Sequence, residues 1–182
     1  IDEFSPKSKK VHIDIDPSSI NKIVKVDLSI VGDVSEVIQS ITKTLKKKNL
    51  NLEKSNKQKI SNWWRLIQKW RTKESLNFVN SEKIIKPQHA VQRLYELTKN
   101  QDTYITTEVG QHQMWAAQHY KFNKPNRWMT SGGLGTMGYG LPAAVGVQVA
   151  HPKKLVIDIA GEASILMTMQ EISTAVQYNL PI

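Results

Sequence analysis

A glycine-rich segment directly ahead of a run of small residues is the feature that most limits the fold. Five glycines fall between positions 132 and 140, and small apolar residues follow from Ala143 to Ala150. Glycine permits positive φ angles and lets the backbone approach a ligand or a neighbouring element closely. A glycine-rich turn that leads into a helix presents free N–H groups to an anion such as a phosphate. A tight turn with close helix packing explains the glycines as well, and the segment matches neither G-x-x-x-x-G-K-[ST] nor G-x-G-x-x-G.

Strand-like and helix-like patterns alternate along the rest of the chain. Alternating or continuous apolar runs predict strands at 11–15, 24–31, 103–109 and 154–160. Apolar residues at helical spacing predict helices at 34–45, 60–70, 88–99, 143–150 and 165–178, with Pro87 suited to a first helical position. Strands that alternate with helices indicate an α/β fold, in which parallel sheets are flanked by helices.

The middle of the chain is predicted to connect two α/β pieces. Residues 46–57 are rich in Lys and Asn and are typical of a linker, and residues 76–86 show no regular pattern. Between them, Trp63, Ile67 and Trp70 share one face of the helix predicted at 60–70. Aromatic residues at helical spacing can stack on a ligand, but packing against protein is the interpretation we favour.

The chain is strongly basic, with 25 Lys and Arg against 16 Asp and Glu and a formal net charge of +9. Nucleic-acid binders have such a balance, but a solvated lysine-rich surface produces it as well. Only four of the basic residues are arginine, the residue best suited to bidentate phosphate and base contacts. We therefore predict no nucleic-acid partner.

The sequence has no cysteine, which excludes disulfides and thiolate metal sites and suits a reducing compartment. No apolar run approaches the roughly 20 residues that span a bilayer. We therefore predict no membrane partner and a cytoplasmic location. Both ends look like cuts, because the chain starts at Ile1 without methionine and stops in Leu180-Pro181-Ile182, which resembles the opening of a strand.

An acidic turn follows the apolar strand predicted at 154–160. Its residues are Gly161, Glu162, Ala163 and Ser164. A carboxylate at the carboxyl end of such a strand lies where open α/β sheets bind ligands. Glu162 could hold a divalent cation between phosphates, since Mg²⁺ takes a few carboxylate oxygens together with phosphate and water. The alternative is an acid favoured by the positive N-terminus of a helix.

Three segments resemble the acetohydroxyacid synthase (acetolactate synthase) large catalytic subunit family, which depends on thiamine diphosphate. They are VGQHQMW at 109–115, TSGGLGTMGYGLPAA at 130–144 and IDIAGEAS at 157–164. The resemblance extends back to HIDIDP at 12–17 and VGDV at 31–34, and it is weakest between about 45 and 85.

The resemblance implies a domain arrangement. Residues 1–45 match the C-terminal part of a central, FAD-binding α/β domain, and residues 46–86 form a linker with an amphipathic helix. Residues 87–182 match the N-terminal half of the thiamine-diphosphate-binding domain. Asp14, Ile15 and Asp33 match positions near the adenine end of the flavin cofactor, although acids after strands also cap turns.

The resemblance also implies roles for residues of the last segment. The diphosphate contacts fall on Val109, Gly110, Gln111, His112, Gly161, Ala163 and Ser164. Met137 matches the residue that holds the cofactor bent, with Gly135 supporting its aminopyrimidine through the backbone, and Glu162 matches the Mg²⁺ ligand. Methionine suits a shape-filling role, and ordinary core packing is the alternative for Met137.

The reaction that the resemblance implies joins the two-carbon unit of decarboxylated pyruvate to a second 2-keto acid. The second acid is pyruvate or 2-ketobutyrate, and the product belongs to branched-chain amino-acid biosynthesis. The family acts as a homodimer or homotetramer of the catalytic subunit, in some cases with a regulatory small subunit. Another thiamine-diphosphate enzyme, of the pyruvate oxidase or glyoxylate carboligase type, and a non-catalytic cofactor-binding paralogue stay open as alternatives.

The chain departs from the family pattern at the metal turn. The family carries aspartate where this chain has Glu162, and the extra methylene moves the carboxylate by about 1.5 Å. The asparagine ligand of the metal would follow Ile182, and the glutamate that activates the cofactor would come from an N-terminal domain of another subunit. We therefore expect the 182-residue chain to be inactive by itself.

Overall fold

The computed structural model describes residues 3, 5–48, 54–73 and 76–182. The chain forms two compact units, Ile1–Lys73 and Glu74–Ile182, and each has its own parallel sheet. Residues 49–53 and 74–75, which belong to the predicted linker, lie outside the described residues.

The first unit contains two parallel strands and two helices. Strand β1 (Val11–Asp14) pairs in register with β2 (Leu28–Val31). A 3₁₀ turn at Pro17–Ser19 follows β1, and Asp16 caps it by accepting from the Ser18 N–H. Helices α1 (Val34–Lys47) and α2 (Lys54–Arg71) complete the unit.

Two elements of this unit differ in length from the prediction. The strand predicted at 24–31 begins only at Leu28, because the N–H of Val26 donates to the Asn21 side chain at 2.9 Å instead of to a strand. The helix predicted at 60–70 runs from Lys54 to Arg71. On it, the rings of Trp63 and Trp70 pack edge to face with centroids 5.5 Å apart, while both stay about half exposed within the described residues.

The second unit is a three-stranded parallel sheet with helices on both faces. Its strands are β3 (Thr103–Thr107), β4 (Trp128–Thr130) and β5 (Leu155–Ile159), in the spatial order β4-β3-β5. Its helices are α3 (Pro87–Thr98), α4 (Gln111–His119), α5 (Gly140–Ala150), α6 (Glu162–Thr168) and α7 (Glu171–Gln177). All five residues of the central strand β3 are buried, as expected for a strand covered on both faces.

Side chains of alternate strand positions form two cores. On one face, Ile105 packs with Val91 of α3 and with Tyr120. On the other face, Tyr104 and Val156 pack with Ala144 of α5. The small residues of α5 let that helix approach the sheet closely, and the predicted α/β class with helix-flanked parallel sheets is confirmed.

The structure of this unit differs from the prediction at three points, of which the unpredicted helix α4 is the first. Strand β4 was not predicted, because three residues are too short for a periodic signal. The single helix predicted at 165–178 is two helices, α6 and α7, separated at Met169 and Gln170. There the Ser173 N–H and hydroxyl both bond to the Gln170 carbonyl, at 3.0 and 2.8 Å, so a serine side chain competes with the helical pattern.

Among the residues that the structure describes, no helix is both long and apolar enough to cross a membrane.

Candidate active site

Three connecting loops leave the same edge of the three-stranded sheet. Residues 108–110 join β3 to α4, residues 131–139 join β4 to α5, and residues 160–161 join β5 to α6. Because the three strands are parallel, their carboxyl ends lie side by side. This edge is where open α/β sheets bind ligands.

The first turn of α4 and the acidic turn after β5 line one cavity. It has a volume of about 540 Å³, and its wall includes Gln111, His112, Gly161 and Glu162. A Cβ atom on Gly161 would lie 3.1 Å from Nδ1 of His112, so only glycine fits the turn without displacing the histidine. The two segments predicted to contact a diphosphate therefore face each other.

The glycine-rich bend contacts both of these segments. Gly135 and Gly138 have φ angles of 69° and 76°, in the left-handed region that glycine adopts without strain. A Cβ on Gly135 would lie 3.4 Å from the Val109 side chain. On its other side, the Gly138 carbonyl accepts from the Thr168 hydroxyl at 3.0 Å, so the bend rests on α6.

The predicted site residues of this edge differ in exposure. Met137 is 38% exposed, so its side chain can meet a bound molecule. Gln111, Glu162 and Ala163 are exposed as well. Ser164 is only 3% exposed, and its carbonyl lies 3.4 Å from where a Cβ on Gly138 would stand. In this structure Ser164 supports the glycine-rich bend from below.

Two carboxylates under the loops, one buried and one half-buried, were not singled out from the sequence. Glu108 is completely buried, and its Oε2 lies 3.0 Å from Nε2 of His112. Asp158 accepts from the Thr106 hydroxyl at 2.9 Å. The remaining oxygens, Oε1 of Glu108 and Oδ2 of Asp158, are buried without a hydrogen-bond partner. Both acids face Gly140, where any Cβ would collide with them.

The carboxyl pair has a physical consequence for charge. Burial, and then repulsion from Glu108, raises the pKa of Asp158 to about 6. A protonated Asp158 removes the repulsion that two charged carboxylates would suffer in a dry site. The register of β3 and β5 was the signal for this pair, because Thr106 pairs with Asp158 and Glu108 lies two residues further along the same face.

A hydroxyl network fixes the position of α4 at the sheet edge. The Thr130 hydroxyl lies 2.8 Å from that of Thr107, accepts from the Gln113 side chain at 2.7 Å and donates to the Glu108 carbonyl at 3.1 Å. Gln113 thereby ties the first turn of α4 to the ends of β3 and β4, and this turn also carries Gln111 and His112.

Three more predicted residues lie together in the first unit. Asp14 ends β1 and Ile15 follows it, while Asp33 follows β2 and caps α1 through the N–H groups of Ser35 and Glu36. The Gly32 N–H donates to the Asp14 carbonyl at 2.9 Å, which places these residues at one edge of the two-stranded sheet. Ile15 is 71% exposed there.

Glu162 is the one residue that the sequence predicts as a metal ligand. Within the described part of the chain, no group of three or more His, Cys, Asp or Glu side chains could hold a metal ion. A single carboxylate suits Mg²⁺ when phosphate oxygens and water complete the octahedron. The glycine turns and the open cavity beside Glu162 leave room for the diphosphate group that would supply those phosphate oxygens.

Two family models match the chain. The thiamine pyrophosphate enzyme C-terminal TPP binding domain matches residues 108–182, which include all three loops of the sheet edge. The thiamine pyrophosphate enzyme central domain matches residues 1–41.

Curated relatives match over almost the whole chain. The acetolactate synthase isozyme 3 large subunit of Escherichia coli is 45% identical over 99% of this chain and 31% of its own length. The acetolactate synthase large subunit of Buchnera aphidicola from Acyrthosiphon pisum is 48% identical over 100% of this chain and 31% of its own. Acetolactate synthase 1, chloroplastic, of Nicotiana tabacum is 43% identical over 100% of this chain and 26% of its own.

The chain thus spans 26–31% of the length of these relatives. The two matched family models fall one on each unit, and the one on the second unit includes all three loops of the carboxyl edge. The chain belongs to the thiamine pyrophosphate enzymes and is a homologue of acetolactate synthase large subunits.

Proposed function

We propose that the protein carrying this chain is a thiamine-diphosphate-dependent carboligase that decarboxylates pyruvate and joins the two-carbon unit to a second 2-keto acid. The acceptor is pyruvate or 2-ketobutyrate, and the product is acetolactate or acetohydroxybutyrate. The observation that carries the proposal is the meeting of three loops around one sheet edge, with the cavity between His112 and Glu162.

In this proposal the diphosphate lies in that cavity, and the thiamine lies along the glycine-rich bend. The binding residues are Val109, Gly110, Gln111, His112, Gly135, Met137, Gly161, Ala163 and Ser164. Thiamine diphosphate supplies the electron sink for decarboxylation when bound. Met137 holds the bent shape by contact, and the left-handed turns at Gly135 and Gly138 leave backbone room beside it.

We propose Glu162 as the Mg²⁺ ligand of this chain. Its carboxylate begins α6 and borders the same cavity as His112. Mg²⁺ keeps several waters and binds through one or two carboxylates together with phosphates. Glu162 is exposed, so its longer side chain has room to adjust to such an ion.

The first unit is proposed to bind the adenine end of FAD. Asp14, Ile15 and Asp33 lie at the carboxyl edge of the two-stranded sheet. Residues 1–45 would form the C-terminal part of the FAD-binding domain, and residues 87–182 would form the N-terminal half of the thiamine-diphosphate-binding domain. Residues 46–86 would link these two domains.

The proposal includes assembly into a homodimer or homotetramer in the cytoplasm, in which a regulatory small subunit is an additional partner. The reason is the family resemblance, which implies that the glutamate that activates the aminopyrimidine comes from an N-terminal domain of another subunit. The buried Glu108 of this chain is engaged with His112.

Substitution of Glu162 by alanine in the full-length protein tests the site. We expect Mg²⁺-dependent affinity for thiamine diphosphate to fall at least about tenfold, because an ion ligand is lost. Glu171→Ala is the matched control, since Glu171 also begins a helix, α7, but does not border the cavity. Calorimetric titration gives both affinities, and equal losses in the two variants would indicate only a helix-terminus effect.

The product distinguishes the proposal from its alternatives. With two 2-keto acids as substrates, the full-length protein should form acetolactate or acetohydroxybutyrate. Hydrogen peroxide or tartronate semialdehyde would instead indicate a pyruvate oxidase or glyoxylate carboligase. Tight cofactor binding without turnover would indicate a non-catalytic paralogue.

A further inference from the structure

A cluster of charged side chains lies at the amino edge of the three-stranded sheet, opposite the candidate active site. Asp102, Arg127 and Lys154 each immediately precede a strand, namely β3, β4 and β5. The Asp102 carboxylate accepts from Nε of Arg127 at 2.8 Å and lies 3.0 Å from Nζ of Lys154 and 3.3 Å from Nζ of Lys124. One carboxylate therefore meets three cations.

The positive charge at this edge exceeds the negative charge. A cavity of about 310 Å³ lies here, and four cationic side chains and one acidic side chain line it: Lys99, Lys121, Lys124, Arg127 and Asp102. Asp102 stays ionised, because its hydrogen bonds to Arg127 and Lys154 hold the pKa of its carboxyl well below the usual range. Glu96 pairs with Lys99 at 3.3 Å. Asp102 and Glu96 together still leave a net positive charge on the four cations of the wall.

Some of the cations are held in place by aromatic rings, which orients them without neutralising them. The Arg127 guanidinium lies 4.3 Å from the centroid of the Tyr104 ring. The Lys121 ammonium lies 5.7 Å from the centroid of the Tyr95 ring. Such contacts stabilise a cation. The guanidinium of Arg127 already donates to Asp102 and to the carbonyls of Pro125 and Asn126, so the donors that this wall offers to an anion are chiefly those of the lysines.

An unpartnered hydroxyl in the wall of the cavity points independently to a ligand. Thr103 is 7% exposed and lines the cavity, and its Oγ1 is buried without a hydrogen-bond partner. A buried hydroxyl without a partner is costly, and native structures usually satisfy it with protein, water or ligand. The side chains of Asn100, Gln101 and Asn123 add neutral donors to the same wall.

We propose that this cavity at the amino edge of the sheet binds a phosphate group, either free or at the end of a small organic phosphate. A phosphate brings two negative charges and several acceptor oxygens, which the lysines and the Thr103 hydroxyl can satisfy together. The volume of about 310 Å³ is at the lower end for ligand pockets, which suits a small anion. The Asp102 carboxylate repels the anion. The three cations around Asp102 carry more charge than this carboxylate and attract the anion.

Calorimetric titration of the full-length protein with inorganic phosphate tests the proposal, with thiamine diphosphate and Mg²⁺ already saturating so that the carboxyl edge is occupied. Lys124→Gln should weaken phosphate binding about tenfold, because one charge-assisted contact is lost. Lys25→Gln, which changes the net charge equally on an exposed lysine of the first unit, should leave it unchanged.

Thr103→Val keeps the β-branched shape of the strand and removes only the hydroxyl. We expect weaker phosphate binding with an unchanged or higher melting temperature, because the unsatisfied group disappears from the unliganded protein. This variant keeps the proposal testable if Lys124→Gln folds poorly. Stronger binding of glycerol 3-phosphate than of phosphate would identify an organic phosphate as the ligand, and equal binding would identify the free anion.

Absence of phosphate binding to the unmutated protein would overturn the proposal. Phosphate binding of equal strength in Lys124→Gln and Thr103→Val would also overturn it, because the anion would then bind elsewhere. In that case the ion pairs of Asp102 have only a structural role, in which they connect the residues that precede the three strands.

Discussion

Asp158 and Asp102 stand at opposite ends of the same parallel sheet, and the pKa values of their carboxyl groups shift in opposite directions. Burial and the nearby Glu108 raise the pKa of Asp158 from an ordinary value near 3.8 to about 6. Hydrogen bonds from Arg127 and Lys154 lower the pKa of Asp102. The two aspartates therefore contribute to stability in different pH ranges.

Substitution of Asp158 by asparagine should stabilise the protein above pH 6. Between about pH 4 and 6 the folded carboxyl keeps a proton that the unfolded one loses, so stability falls as the pH rises through this range. Asparagine removes that loss and still accepts from Thr106, and its amide can donate to the unpartnered Oε1 of Glu108. We expect a gain of about 1–3 kcal/mol at pH 8, measured from melting temperatures at pH 5 and pH 8.

Asp102→Asn is the contrasting control. The low pKa of Asp102 means that its stabilising effect is present above the unfolded pKa and is lost as the pH falls. The variant should therefore be less stable at pH 8, with a smaller loss of stability on acidification. A lower melting temperature for Asp158→Asn at pH 8 would show that Asp158 is stabilising as a charged group.

Met137 tests the shape-filling role that we propose at the cofactor. Its side chain is 38% exposed, so its truncation to alanine removes less buried surface than truncation of a core methionine would, and the cost in stability should be small. We expect kcat to fall about tenfold or more with a nearly unchanged melting temperature, since a misplaced reacting group is costly. Steady-state kinetics and thermal unfolding of the full-length protein measure both. A lower melting temperature with normal kcat would assign Met137 to the core.

At the scale of elements, the glycine-rich bend depends on backbone conformations that only glycine adopts easily. A Cβ on Gly138 would lie 3.0 Å from Thr168 and 3.1 Å from Met167, at a φ of 76°. Gly133→Ala is a matched control, because nothing lies within 4 Å of the added Cβ and its φ is not positive. The two glycines belong to one bend and differ only in packing and conformation.

Gly138→Ala should shift the bend away from α6. We expect a loss of about 1–2 kcal/mol from the left-handed conformation and a weaker affinity for thiamine diphosphate, because α6 carries the acidic turn. Gly133→Ala should change neither quantity. Thermal unfolding and cofactor titration provide the measurements, and equal effects of the two substitutions would mean that the contact with α6 does not position the bend.

The elements that the sequence predicted well are those with several turns or a clear alternation, such as α1, α3 and β5. Strand β4 was not predicted because it has only three residues and forms by pairing with β3. The break between α6 and α7 escaped because a local bond from Ser173 to the Gln170 carbonyl decides it. Glu108 was not recognised because its two partners come close to it only in the folded chain. His112 lies one helical turn away, and Asp158 lies across the sheet.

At the scale of the whole molecule, the 182-residue chain should not catalyse carboligation by itself. Of the described residues that line the cavity, Glu162 is the one with a carboxylate, and the buried Glu108 is bonded to His112. An assay of the purified chain for acetolactate checks this expectation, with the full-length protein as the positive control. Acetolactate formed by the chain would show that its own residues suffice.

The central claim is that the glycine-rich bend around Met137 and the acidic turn at Glu162 hold the same cofactor. A crystal structure of the full-length protein with thiamine diphosphate and Mg²⁺ tests it most directly. We predict the diphosphate between residues 109–112 and 161–164, Mg²⁺ on the Glu162 carboxylate, and Met137 against the bent thiamine. A diphosphate bound away from either segment, or Mg²⁺ without contact to Glu162, would contradict the account.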